Sequence, residues 1–189
     1  MSRLIGLKDI TIAQLLTDTS VGATYEIPKK LERSIKATLK PKTTQTKLYS
    51  DDTIEEVVNA FDSIDVEIEV NQLSIESRAM LQGSKVVKGV LIETKNDIAP
   101  TVAMAFKAKK SSGKYMYVWL YKGSFEITED TFESSEDKLK DQTAKLKATF
   151  YAREFDGAYR LIADEEAKDF DATTATTWFT TVAVQPTEI

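Results

Sequence analysis

Strict alternation of apolar and polar residues, in run after run, is what most narrows the folds open to this chain. In "IDVEIEV" (64–70) Ile64, Val66, Ile68 and Val70 fall on one face of an extended strand, and Asp65, Glu67 and Glu69 on the other, because successive strand side chains point to opposite sides. Three carboxylates then stand in a row at a spacing of about 7 Å. Repulsion opposes such a row unless something meets it, and cross-strand lysines such as Lys36, Lys145 and Lys147 are candidates. The same period runs through "SIKATLK" (34–40), "TTQTKLY" (43–49), "SKVVKGVLIE" (84–93), "TVAMAFKAK" (101–109), "YMYVWLYKG" (115–123), "SFEITEDTFES" (124–134), "TAKLKATFYARE" (143–154) and "DGAYRLIA" (156–163). The first two of these read as a hairpin turning at Pro41 and Lys42, and "KSSGK" turns 101–109 into 115–123.

One segment has helical rather than strand character. Ser74 is placed as an N-cap, Glu76 lies in the first turn, and Gly83 is placed to close the C-terminus. The spacing predicts a helix over 74–82, packed on the sheet through Leu73, Met80 and Leu81. The count of about nine strands and one helix describes a mainly β fold, an antiparallel sandwich or barrel with one flanking α-helix and extended loop or arm segments. We read residues 1–189 as a single domain. Residues 16–33 read as a long loop or arm. Residues 172–189, threonine-rich but holding Trp178 and Phe179, read as a C-terminal segment that docks on something.

Composition removes whole classes of chemistry. Cysteine and histidine are both absent, so there is no disulfide framework, no thiol nucleophile, no Cys/His zinc site and no Ser-His-Asp triad. The net charge of -5 disfavours tight binding to duplex DNA, where Lys and Arg neutralise phosphates. No phosphate-binding glycine loop occurs. The N-terminal "MSRLIGLKDI" lacks the apolar run of a signal peptide and no stretch approaches a membrane span. A product made and kept in the cytoplasm, with no membrane partner, is expected.

The remaining groups that carry chemistry each have a plain reading and a sharper one. Asp51 with Asp52, Glu55 with Glu56, and Glu165 with Glu166 are solvated loop acids or glycosidase-like pairs. The cluster Asp164, Glu165, Glu166, Asp169 and Asp171 lacks the spacing of a calcium loop and reads as an exposed acidic turn. Lys107, Lys109, Lys110 and Lys114 crowd one hairpin tip, and Tyr115, Tyr117, Trp119 and Tyr121 line one face of the next strand. That combination fits a core or subunit contact, or the stacking platform of a monomeric single-stranded nucleic-acid-binding module. No catalytic residue, cofactor site or metal site is assigned.

Several of these stretches, in this order and spacing, resemble the major tail proteins, or tail tube proteins, of long-tailed siphovirus-type phages: "GLKDI" (6–10), "KLYSDD" (47–52), "VEIEVNQLSIESRAMLQG" (66–83), "YVWLYKGSF" (117–125) and "QTAKLKATFYAREFDG" (142–157). The resemblance implies a non-enzymatic structural virion protein. It would form homohexameric rings, stacked into a tube whose inner β-barrel surrounds a DNA channel, and would work with a tape measure protein, a tail terminator and a distal tail protein. It makes the virion tail the final location, after assembly in the host cytoplasm. Asp65, Glu67 and Glu69 then become candidate lumen-facing acids past which DNA slides without specific binding. Tyr117, Trp119, Trp178 and Phe179, with the 16–33 arm, become candidate subunit contacts. The chain departs from the family pattern at "IPKKLER" (27–33), where small turn residues are expected.

Overall fold

The structure is a computed structural model and describes residues 2–50, 53–127 and 143–186, with side chains for all of these except 48–50, 54 and 55. The elements run β1 (Leu4–Thr19), β2 (Gly22–Tyr25), β3 (Lys29–Lys30), β4 (Ser34–Ser50), β5 (Thr53–Val70), α1 (Ile75–Gln82), β6 (Lys85–Val87), β7 (Val90–Ile92), β8 (Val102–Lys110), β9 (Tyr115–Phe125), β10 (Ala144–Tyr151), β11 (Arg160–Asp164) and α2 (Ala172–Thr177). The main sheet is antiparallel in the order β2-β1-β8-β9-β10-β5-β4, with β11 beside β9 and β3 beside β1. The mainly β class predicted by the alternation is the one observed.

Alternation decides which side of each strand is buried. Val118 and Leu120 of β9 join Ile10, Ile12, Met104 and Phe106 in one core, together with Ile64, Val66 and Ile68 of β5 and Leu146 and Phe150 of β10. Residues from both halves of the sheet share this core and β1 touches β4. The sheet therefore rolls until its first and last long strands approach each other. The opposite side of β9 carries Tyr117, Trp119 and Tyr121 into a second core, closed by Trp178, Phe170, Phe179 and Val182 of the C-terminal segment.

Helix α1 forms as its cap chemistry predicts. Ser77 N–H donates to Ser74 Oγ across 3.1 Å, Gly83 adopts the left-handed φ of 74° that closes the helix, and Leu81 is buried in the first core with Leu73 and Met80 packed against it. The departing segment 27–33 anchors this helix. Leu31 is buried, and the Glu32 carboxylate accepts from Ser74 N–H at 3.0 Å and from the Ser74 and Ser77 hydroxyls.

Several local expectations change. Residues 34–40 and 43–49 do not turn back on each other: they are one strand, β4, paired along its length with β5. Pro41 is accommodated because β4 is an edge strand, where a missing N–H leaves no partner unsatisfied. The register slips between Lys42 and Thr43 instead. Glu56, expected in a loop, lies in β5. The single strand expected over 84–93 is a separate two-stranded hairpin, β6-β7, turning at Lys88 and Gly89 with φ of 51° and 78°, the conformation of a type I′ turn. A second helix, α2, is capped by Asp171, whose side chain accepts from Thr173 N–H. Residues 16–33 hold the end of β1 with β2 and β3 laid along it. The strand expected over 124–134 is seen to Phe125 as part of β9, and its residues from 128 on, like the charged connection beyond them and Asp51 with Asp52, lie outside the described residues.

Candidate functional site

The outward face of β4, β5 and β10 gathers the acidic row. Because Ile64, Val66, Ile68 and Val70 are buried in the first core, the pleat turns Asp65, Glu67 and Glu69 to the opposite face. Across the ladders Glu69 lies opposite Lys36 and Lys145, Glu67 opposite Thr38 and Lys147, and Asp65 opposite Lys40 and Thr149. The acids form the central row of a three-row face with lysines on either side, so the repulsion along β5 is met across the strands.

The direct pairs are diagonal. Lys40 Nζ lies 2.9 Å from Glu67 Oε1, and Lys42 Nζ lies 2.7 Å from Asp65 Oδ2. Thr143 Oγ donates to Glu69 Oε1 at 2.7 Å. The hydrogen bond from Lys40 holds the Glu67 carboxyl below its usual range, aided by the nearby charges of Lys147 and Lys36. A cleft of about 490 Å³ opens here, lined by Lys36, Lys145 and Lys147 with Glu67, Glu69 and Glu126. Lys36, Lys145 and Lys147 were legible from the sequence as partners. Lys40 and Lys42 were missed because assigning a turn at Pro41 ended the strand before its register could be extended.

The hairpin tip and aromatic row are placed differently from a nucleic-acid platform. Trp119 and Tyr121 are fully buried and Tyr117 is 4% exposed, so none offers an open ring face to a base. Trp119 Nε1 donates to the Trp178 carbonyl, and the Tyr121 hydroxyl to the Ala183 carbonyl. Tyr117, Trp119 and Trp178 thus make their contacts inside the chain, while Phe179 is half-buried. Lys107 pairs with Asp9, and Lys110 is buried between Asp164 and Glu166.

The acidic turn is occupied in the same way. Glu165 accepts from Tyr115 N–H and the Tyr117 hydroxyl, and Glu166 from the Ser2 and Ser112 hydroxyls. Adjacent Glu165 and Glu166 therefore hold the turn against the β8-β9 tip and do not flank a cleft. Among the described residues no three acidic side chains converge as ligands of a cation do, and no helix is long and apolar enough to cross a membrane.

Comparison with known proteins returns no match to a curated protein. A family model described as phage tail tube protein does match, over residues 39–180. That span runs from the middle of β4, through the charged face, to the aromatic pair at Trp178 and Phe179. The chain therefore belongs to the phage tail tube protein family.

Proposed function

We propose that this chain assembles into hexameric rings, that the rings stack into the tail tube, and that the charged face of β4, β5 and β10 lines the channel through which DNA is ejected. The observation that carries the reading, beside family membership, is the edge strand β4. It is 17 residues long and, among the described residues, pairs with β5 alone, and so long an edge is a pairing template that soluble monomers normally blunt or cover. Rotational symmetry covers it by placing a neighbouring copy alongside.

Two further features fit a subunit surrounded by copies. Beyond Lys42 the β4-β5 hairpin leaves the core, with Val57 and Val58 more than two-fifths exposed, although a lone two-stranded hairpin is only marginally stable in water. An apolar groove of about 400 Å³ runs between the start of β1 and β4, where Leu4 and Ile35 are more than half exposed. Phe179 is the one aromatic of the four still open to a neighbouring subunit. The tape measure, terminator and distal tail proteins are the expected partners at the lumen and the two ends.

Light scattering with negative-stain microscopy across a concentration series tests the reading. Six-fold rings or tubes with a central hole are expected at high concentration. A monomer at every concentration, with β4-edge variants such as Thr38→Pro behaving identically, would overturn it.

A further inference from the structure

We propose that the acidic row on β5 is the counter-charge of a lysine-rich sheet face, so that the face presents a duplex polyanion with a surface that neither repels nor holds it. The use of that surface rests on the channel-lining reading above; the charge compensation itself does not. Five lysines stand on the face, Lys36, Lys40 and Lys42 from β4 and Lys145 and Lys147 from β10, against Asp65, Glu67 and Glu69 with Glu126 at the margin. The row that looks strongly acidic along one strand belongs to a nearly neutral patch.

The geometry sets how a phosphate feels it. Adjacent strands are about 4.8 Å apart, shorter than a Debye length of about 8 Å at physiological salt. The fields of neighbouring lysine and acid rows therefore largely cancel at the distance of a passing backbone. Lysine rows alone would neutralise phosphates and release counterions, giving salt-sensitive binding. Acid rows alone would push the duplex away. Lys40 and Lys42 are directly engaged by carboxylates. Lys36, Lys145 and Lys147 make no ion pair within 4 Å among the described residues, and stand in the field of Glu67 and Glu69. Those three, joined by Lys40 once Glu67 no longer holds it, are the side chains that removal of the acids would hand to phosphate.

The test uses the purified chain and a fluorescein-labelled duplex of about 20 base pairs, read by anisotropy at about 20 mM and about 200 mM salt. The wild-type protein is expected to bind weakly or not at all at either salt. Glu67→Gln with Glu69→Gln is expected to bind at least about tenfold tighter at low salt, and to lose that gain at high salt. Adding Lys36→Gln and Lys147→Gln is expected to abolish it. The single variant Glu69→Gln, which keeps a side-chain oxygen for Thr143, serves if the double variant does not fold. Equal binding by wild type and acid-neutralised variants, tight or absent, overturns the proposal.

A separate measurement tests the channel placement. The chain has no cysteine, so Thr38→Cys carries the only thiol, on this same face. In assembled tubes a small maleimide is expected to react and a bulky polymer-linked maleimide to be excluded. Equal reaction with both would remove the face from the channel while leaving the charge compensation to stand on the duplex measurement.

Discussion

The indole Nε1 of Trp119 donates to the main-chain carbonyl of Trp178 across 3.0 Å, joining the central strand β9 to the segment that follows α2. Both side chains are buried, Trp119 fully and Trp178 to 2% exposure. Tyr117 packs on Trp178 with ring centroids 5.6 Å apart. The C-terminal segment is thus a wall of the second core. Trp178→Ala is expected to cost about 3–5 kcal/mol through lost burial and the cavity left behind. Denaturant unfolding checks it; a loss below about 1 kcal/mol would mean that the segment is not part of the cooperative unit.

Arg153 makes a comparable tie at the same second core. Its guanidinium bonds Asp156 through Nε at 2.7 Å and a terminal nitrogen at 2.6 Å, donates to the Tyr25 hydroxyl, and lies 3.8 Å above the Tyr121 ring. Arg153 is 3% exposed. A lysine cannot reproduce the planar fork and the stacking together. Arg153→Ala is expected to destabilise by about 2–3 kcal/mol, with part recovered when Asp156→Ala removes the unpaired carboxylate. Strict additivity of the two substitutions in a double-mutant cycle would refute the pairing energy.

Gly123 sits where β9 passes β10, opposite Phe150. A Cβ there would lie 2.5 Å from both Phe150 Cδ1 and the Thr149 carbonyl oxygen, and the second of these is backbone that cannot swing aside. Gly123→Ala is expected to cost about 1–3 kcal/mol by overpacking, seen as a lower Tm and faster amide exchange in β10. Unchanged exchange in β10 would show that the strands pass farther apart than the geometry has them.

Stability should fall steeply in acid. The carboxyls of Asp9, Asp156 and Asp164 are held below their ordinary range chiefly by hydrogen bonds from Lys107, Arg153 and Lys110 respectively. That of Glu166 is pulled down to about 2 by the Ser112 and Ser2 hydroxyls and Lys110. Since the folded values lie below the unfolded ones, the unfolded chain binds more protons in acid, and stability rises with pH through this window. The contribution is complete above the ordinary carboxyl values of 3.8 for Asp and 4.5 for Glu and is lost as pH falls through the lowered ones. Tm is expected to drop between about pH 5 and pH 2, and Asp9→Asn should flatten that slope; a Tm constant over the range would contradict it.

Local signals in the chain determined a good deal of this protein. Alternation depends only on neighbours in sequence, so the inward rows of β5, β8, β9 and β10, with the row of acids they turn outward, were legible before any partner strand was known. The ends of α1 were legible for the same reason: Ser74 and Gly83 act on the helix turn beside them. Tertiary structure decided what local pattern leaves open. Whether Pro41 ends a strand depends on whether its nitrogen faces a neighbouring strand of the chain, and among the described residues β4 is the last strand of the sheet. From that placement follow the long β4-β5 pairing and the ion pairs of Lys40 and Lys42. Likewise, the aromatic row of β9 has the same sequence whether it faces solvent, a second subunit or its own chain. Only the return of the C-terminal segment across the sheet put Trp119 beneath Trp178, because burial is a property of what packs from a distance in sequence.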